Sequence, residues 1–192
     1  STKLDRKRKN SVLICGAYGH GNAGDEAILD AIVAEMRALG VEEISVLSRR
    51  PEETAARCGV QAIHSFSLFR ILRAMKRTKL YINGGGSLIQ DVTSSKSLLY
   101  YTSVMRYAAR CGDKVYVYAN GIGPLREKNY ARAAKALNAA DAVTLRDPAS
   151  LAELEKIGAD SGKARVTADP VLLAEGMPRE ALMALFADNG LP

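Results

Sequence analysis

The fold of this 192-residue chain is decided by S-V-L-I-C-G-A-Y-G-H-G-N-A-G-D-E-A-I-L, Ser11 to Leu29. Its first six residues are a short apolar run that ends in glycine, which predicts a buried strand. From Asp25 the apolar residues recur at helical spacing as far as Leu39, and Gly40 ends the run. The stretch therefore predicts a strand, a glycine-rich loop and a helix.

The same alternation continues along the chain. We predict further strands at residues 42–48, 79–83, 114–120, 141–146 and 164–170, and further helices at 51–58, 66–77, 97–110, 127–140, 148–157 and 179–186. Strands that alternate with helices, without hairpin signals, are typical of a parallel sheet with helices on both faces. The predicted fold class is α/β.

The charge distribution and the cysteine content limit the partners and the kinds of site that we expect for this chain. The formal net charge is +6, but residues 3–9 supply +4 of it, so we expect a basic, disordered arm or tag remnant at residues 1–10 and no nucleic-acid partner. The three cysteines lie far apart, which predicts reduced thiols in a cytoplasmic protein and no metal site. No apolar run reaches the roughly 20 residues of a membrane span.

Polar and glycine-rich segments follow four of the predicted strands. They are the loop after residue 16, N-G-G-G-S at 83–87, N-G-I-G-P at 120–124 and R-D-P at 146–148. Ligands of such sheets bind beyond the carboxyl ends of the strands. We therefore expect one site at this edge.

The first loop is a poor phosphate cradle. Residues 19–24 satisfy G-x-G-x-x-G, but a lone match of this kind is weak. Asp25 and Glu26 in the first helical turn would repel a pyrophosphate, which favours a hydroxyl-rich ligand. The alternative is that Asp25 only caps the helix, within a tight turn.

Two other segments can bind an anion. The amides of Gly84, Gly85 and Gly86, beside Ser87, can form an anion-binding nest, or the segment is a flexible loop. Arg146 suits the bidentate capture of a carboxylate or phosphate, and a salt bridge to a neighbouring acid is an equal alternative.

These motifs together carry a resemblance. G-x-Y-G-x-G-N-x-G-D-E-A-I-L, G-G-G-S-L-I-Q-D with T-S-x-x-S-L-x-Y-Y, G-I-G-P and L-R-D-x-x-S occur in this order between Val12 and about Leu172. The chain resembles the N-terminal half of the polysaccharide pyruvyl transferase family, in its CsaB-type branch. The resemblance implies a GT-B-like enzyme of two Rossmann-like lobes with the active site between them.

The resemblance also implies a domain organisation. Residues 11–175 would form the Rossmann-like N-terminal lobe, and residues 176–192 would begin the connection to a second lobe outside this chain. The general acid of the family is expected to be a histidine of that second lobe. We therefore expect this chain to be inactive by itself.

The implied reaction transfers pyruvate from phosphoenolpyruvate, as a co-substrate and without a cofactor, onto a sugar as a ketal. In this branch the acceptor is N-acetylmannosamine of a secondary cell-wall polymer, either polymeric or lipid-linked. The enzyme would work in the cytoplasm, with the inner face of the membrane as an alternative place.

Residue roles follow by matching motif positions. Asp25 and Glu26 would orient or deprotonate an acceptor hydroxyl. The donor would be bound by Arg146, Gly84, Gly85, Gly86 and Ser87. The acceptor would contact Tyr18, His20, Asn22, Gln90, Asp91 and Asn120. His20 stands where the family pattern has an aromatic residue, and Asn120 where it has glutamine, and both departures concern the acceptor.

Three alternatives stay open. The chain could be the N-terminal lobe of a GT-B glycosyltransferase that uses a nucleotide sugar, or a non-catalytic module that binds sugar or nucleotide. Against a nucleotide, the second strand ends in Arg49 and Arg50 and not in an acid that could bind ribose.

Residues 66–79 could form a membrane-docking helix with a basic flank, or a core-facing stripe with a solvated basic face.

Overall fold

The computed structural model describes residues 10–167. Its strands are β1 (Ser11–Cys15), β2 (Glu43–Ser48), β3 (Gln61–His64), β4 (Leu80–Ile89), β5 (Lys114–Ile122), β6 (Ala142–Leu145) and β7 (Ala164–Val166). Its helices are α1 (Ala23–Ala38), α2 (Pro51–Cys58), α3 (Leu68–Met75), α4 (Ser95–Arg110), α5 (Tyr130–Asn138) and α6 (Pro148–Lys156). Short 3₁₀ turns lie at Glu127–Asn129 and Ser161–Lys163.

The strands form one seven-stranded sheet, and every neighbouring pair is parallel. Their order is β3-β2-β1-β4-β5-β6-β7. The chain builds outward from β1 in one direction, then returns to build outward from β4 in the other. A crevice forms at such a reversal, between the carboxyl ends of β1 and β4.

Helices cover both faces of the sheet, because alternate strand residues point to opposite sides. Val12 and Ile14 pack with the buried residues of α1, while Leu13 and Cys15 belong to the core that includes α3, α4, α5 and α6. The predicted α/β fold with a parallel sheet covered on both faces is confirmed.

The element boundaries differ from prediction in three places. Strand β3 was not predicted, since its four residues bury only Ile63 fully. Strands β4 and β5 continue through their glycine-rich ends, which pair with each other at Gly84 with Tyr118 and at Gly86 with Asn120. The predicted helix at 179–186 and the predicted domain boundary at 175 lie outside the described residues.

Helix α1 lies unusually close to β4. A Cβ atom on Gly84 would stand 2.5 Å from the Tyr18 hydroxyl and 2.7 Å from Ile32 Cδ1, and one on Gly85 would collide with Ile28. Gly85 also has a φ of 62°, which disfavours other residues. These glycines therefore let α1 rest directly on the strand, and its first turn is held over the end of β4.

Candidate active site

A cavity of about 570 Å³ opens at the reversal between β1 and β4. Its walls come from the loop after β1, the first turns of α1, the end of β4 with the loop that follows, and the residue after β6. The lining residues are Ala17, Asn22, Gly24, Asp25, Ile28, Gly86, Ser87, Leu88, Gln90, Thr93 and Arg146. One cavity therefore lies at the carboxyl edge of the sheet, where a site was predicted.

Asp25 is the acid of this cavity. A Cβ atom on Gly86 would stand 2.8 Å from Asp25 Oδ1, so the carboxylate occupies the space that this glycine leaves. Partial burial is the main reason that the pKa of Asp25 is raised, the charge of Glu26 raises it further, and His20 opposes the shift. A carboxyl group with a raised pKa in a cavity is suited to general acid–base chemistry.

The other predicted catalytic residue, Glu26, is held by contacts outside the cavity. Glu26 Oε1 accepts a hydrogen bond from the Gly19 amide at 2.8 Å, and its Oε2 lies 2.6 Å from Arg57 Nη2. Arg57 also pairs with Asp30. Glu26 lies outside the cavity lining, where it holds the glycine loop against α2, and its catalytic role stays a prediction.

The capping alternative for Asp25 is corrected. The N-cap of α1 is Asn22, whose Oδ1 accepts a hydrogen bond from the Gly24 amide at 3.0 Å. Asp25 lies one residue further into the first turn than Gly24, and its carboxylate faces the cavity. The helix start therefore places Asp25 without using it as a cap.

Arg146 lines the cavity from its opposite side. Its Nε donates to Asp147 Oδ2 at 3.2 Å, so the salt bridge that the sequence left open is present. A Cβ atom on Gly121 would stand 2.5 Å from Arg146 Nη2 and 3.0 Å from Ser87 Oγ. The end of the guanidinium therefore occupies the space over Gly121, and the Ser87 hydroxyl borders the same space.

Asp147 fixes this arginine to the scaffold. It is the N-cap of α6, and its Oδ1 accepts a hydrogen bond from the Ser150 amide at 2.7 Å. The hydrogen bonds from Ser150, and then the Arg146 guanidinium, lower the pKa of Asp147. The residue that orients Arg146 is thus ionised at neutral pH.

The glycine run contributes less to the site than we expected. Gly84 and Gly85 are buried beneath α1, and Gly86 and Ser87 alone of the four line the cavity. The close approach of α1 occupies the space in which a nest of three amides would bind an anion. Gly84 and Gly85 therefore serve the packing of α1 on β4, and their donor-binding role stays a prediction.

Tyr18 and Asp91 are buried supports. Tyr18 is 1% exposed, and its hydroxyl donates to the Gly84 carbonyl at 2.9 Å. Asp91 is also 1% exposed, and its carboxylate accepts hydrogen bonds from the Arg126 amide and, at 2.6 Å, from Asn129 Nδ2. Neither side chain lines the cavity; both support the segments around it, and their acceptor contacts stay predictions.

Asn120 is a third support. Its Nδ2 donates to the carbonyls of Asn83 and Tyr118, both at 2.8 Å, and its Oδ1 accepts from Asn83 Nδ2 at 3.0 Å. It is fully buried and joins β4 to β5, and its acceptor contact stays a prediction.

The remaining acceptor candidates lie in or near the cavity. Asn22 and Gln90 line it, whereas His20 is exposed outside the lining. Gln90 is tied to its own turn, because its Oε1 accepts from the Val92 amide at 2.8 Å and its Nε2 donates to Thr93 Oγ1 at 2.6 Å. Thr93 was not predicted as a site residue, although it lies in the T-S segment of the resemblance.

Cys15 is a fully buried thiol at the carboxyl end of the sheet. Burial raises the pKa of Cys15, at the end of β1, to about 12, so its thiol stays protonated. Within residues 10–167, no group of three His, Cys, Asp or Glu side chains is arranged to hold a metal ion. The same residues include no helix with the length and apolar character needed to cross a bilayer.

Comparison with solved structures supports the fold. Anabaena Alr3699/HepE in complex with UDP-glucose, and the same protein with UDP, each match with a TM-score of 0.57 and 11% identity over 94% of this chain and 50% of theirs. A third HepE structure, with UDP and glucose, gives a TM-score of 0.55 over 83% of this chain and 44% of that one. The chain spans about half the length of these GT-B-like proteins, and at this identity the similarity shows the fold alone.

Sequence comparison identifies the family. No curated protein gives a significant match. The family model described as "Polysaccharide pyruvyl transferase" matches residues 22–189, which is most of the chain and includes the whole cavity-forming region after Asn22. The chain therefore belongs to the polysaccharide pyruvyl transferase family.

Proposed function

We propose that this chain is the N-terminal lobe of an enzyme that transfers pyruvate from phosphoenolpyruvate onto a sugar as a ketal. The observation that carries the proposal is that one cavity, at the reversal of the sheet, holds both Asp25 and Arg146. In the proposed reaction this lobe must supply two groups. One is a base that takes the proton of an acceptor hydroxyl, and the other is a cation that binds the anionic donor.

Arg146 binds the donor. Phosphoenolpyruvate carries a carboxylate and a phosphate, and a guanidinium pairs two oxygens of either group at once. Nη2 of Arg146 faces the space over Gly121, while Nε is held by Asp147. The Ser87 hydroxyl borders the same space over Gly121, and in this proposal it donates a further hydrogen bond to the donor.

Asp25 acts on the acceptor. Protonation of the donor's methylene carbon leaves a cationic centre at C2, which an acceptor hydroxyl attacks to form a C–O bond. Asp25 takes the proton of that hydroxyl as a general base. A second hydroxyl of the same sugar then attacks C2, the bond from C2 to the phosphate oxygen breaks, and the second hydroxyl's proton leaves with inorganic phosphate.

The proton for the methylene carbon comes from a general acid on a second lobe, as the family resemblance implies. His20 is exposed outside the cavity lining, and His64 Nδ1 accepts a hydrogen bond from the Phe66 amide at 3.2 Å. Neither histidine is placed for that role. This chain alone therefore binds substrate without turning it over.

The acceptor in this proposal is the N-acetylmannosamine of a secondary cell-wall polymer, as in the CsaB-type branch. The acceptor side of the cavity is formed by Asn22 and Gln90, next to the exposed residues 20–24. Amide side chains and an open loop suit a polar, hydroxylated ligand. The enzyme would work in the cytoplasm on a polymeric or lipid-linked acceptor.

Phosphate release tests the reaction class. The two-lobe enzyme is mixed with phosphoenolpyruvate and an N-acetylmannosamine-containing acceptor, and phosphate and ketal are measured. A parallel reaction with UDP-glucose measures UDP, because HepE was solved with that ligand. Phosphate release that depends on the acceptor supports the proposal. UDP release without phosphate release would replace it with nucleotide-sugar transfer.

A further inference from the structure

The start of α3 carries apolar side chains that the protein does not bury. Phe66 is 62% exposed, Leu68 61% and Phe69 88%, and Leu99 on α4 is 46% exposed beside them. We call these four residues the α3–α4 patch. An open, mostly apolar groove of about 480 Å³ separates the two helices here and reaches down to Ile71 and Met75. Exposed apolar side chains that cluster at one place on the surface mark an interaction site.

Packing against the core, the alternative interpretation of residues 66–79, explains only the side of α3 that faces the sheet. Ile71 is 4% exposed and Met75 is fully buried, so these residues hold α3 on the sheet. Phe69 precedes Ile71 by two positions, which turns it to the far side of the helix. Phe66 lies before the helix begins. The packing of α3 therefore needs neither phenylalanine.

Positive charge surrounds the patch. From residue 61 to residue 112 the chain has eight lysines and arginines and one acidic residue, Asp91, which is buried. Arg70 and Arg73 are exposed on α3, and Lys76 and Arg77 are exposed directly after it. The guanidinium of Arg49 stands 4.3 Å over the Phe66 ring. The surface that exposes the phenylalanines therefore attracts anions.

We propose that the α3–α4 patch docks on an anionic lipid surface. An exposed phenylalanine among cations can enter the acyl boundary while the lysines and arginines pair with acidic headgroups. An acidic polysaccharide would satisfy the cations and leave the phenylalanines in water. The combination of apolar and basic groups at one place is what favours a lipid surface.

The position of the patch in the fold determines which edge of the sheet faces the lipid surface in the docked protein. Arg49 follows β2 and Phe66 follows β3, so both lie at the carboxyl edge of the sheet. The cavity of Asp25 and Arg146 lies at the same edge, beyond β1 and β4. Docking through the patch therefore holds the cavity close to the lipid surface, whatever the reaction.

A single tryptophan can report this contact, because the chain has none. Phe69→Trp is placed in a chain whose Lys and Arg at residues 3–9 are replaced by glutamine, so that the basic arm does not contribute. With vesicles of phosphatidylglycerol and phosphatidylcholine, its emission should shift to the blue, and brominated lipid should quench it. Vesicles of phosphatidylcholine alone should have little effect. Val166→Trp, an exposed position on the far edge of the sheet, is the control and should not respond.

Loss variants separate the two parts of the contact. Phe66→Ser with Phe69→Ser should lower vesicle binding at least about tenfold, since it removes the inserted apolar area. Arg70→Gln with Arg73→Gln should lower it about fivefold for each charge and weaken its salt dependence. Lys128→Gln with Lys135→Gln removes two exposed charges elsewhere and should have little effect. Circular dichroism checks that each variant is folded.

Two results would overturn the proposal. One is vesicle binding that is absent, or that the patch variants do not change. The other is an indole at position 69 that is already shielded without vesicles, in a chain whose mass rises with concentration. That second result would assign the patch to a contact between two copies of the chain.

Discussion

Gly121→Ala should disable donor binding without removing a donor-binding residue. Gly121 lies in β5, has no positive φ and can therefore become alanine without backbone strain. The new methyl group would stand 2.5 Å from Arg146 Nη2, 2.8 Å from Arg146 Cζ and 3.0 Å from Ser87 Oγ. Ordinary contact requires about 3.5–4 Å, so the guanidinium must move by about 1 Å.

The expected losses of stability and of donor binding depend on which atoms the new methyl group displaces. The atoms in the way are the ends of flexible side chains, so the free energy of unfolding should fall by less than about 1 kcal/mol. The displaced guanidinium, however, loses charge-assisted hydrogen bonds to the donor, each of about 1.5–3 kcal/mol. This corresponds to a roughly ten- to hundred-fold lower kcat/KM for phosphoenolpyruvate.

The assay measures kcat/KM for donor and acceptor separately in the two-lobe enzyme, together with the Tm of each variant. Gly162→Ala is a matched control, because its methyl group would meet the end of the Asp160 side chain at 3.0 Å, away from the cavity. A folded Gly121→Ala enzyme with unchanged donor kinetics would refute the placement of the donor at Arg146. A large loss of Tm would refute the argument that only side-chain ends must move.

Three further substitutions probe the same cavity and its support. Arg146→Lys keeps the charge but loses the planar fork, so kcat/KM for phosphoenolpyruvate should fall about ten- to hundred-fold with acceptor KM little changed; equal kinetics would make Arg146 a structural ion pair. Asp25→Asn should impair acceptor use. Because the folded pKa of Asp25 is raised, its ionised form destabilises the fold, so the variant should have the higher Tm at pH 7. That advantage should vanish as pH falls below the usual aspartate pKa, and a lower Tm at pH 7 would contradict it. Tyr18→Phe loses a buried hydrogen bond to Gly84 and should cost about 1 kcal/mol of stability in denaturant unfolding, with both KM values unchanged.

The sequence predicted the sheet and the location of the site from different kinds of signal. The runs around Ser11 and Asp25 change period sharply, so the first strand and helix were predictable. Asp25 and Arg146 are far apart in sequence, but each follows a strand of one parallel sheet. The topology then brings them to one edge.

Side-chain direction could not be predicted in the same way. Asn120 and Asp91 also follow the apolar parts of strands, yet both are buried. The register between β4 and β5 shifts between Gly86 and Ile89, and between β5 and β6 it shifts between Val117 and Asn120. Each shift changes which face a residue meets, and sequence alternation does not reveal it. Strand β3 was missed because only Ile63 of its four residues is buried, whereas three of the four residues of β6 are buried and apolar or β-branched.

The contrast between the two ends of the opening loop bears on how new acceptor preferences could evolve in this scaffold. Tyr18 is buried beneath α1, and a Cβ atom on Gly84 would collide with its hydroxyl. Residues 20–24 are exposed, and a side chain at Gly21 would meet no atom within 4 Å, although its φ of 77° restricts the choice of residue. A randomised library spanning residues 20–22 should therefore yield mostly folded clones, whereas one at residues 84 and 85 should yield few. Selection for another sugar can work on the rim of the cavity while the scaffold that holds Asp25 stays as it is.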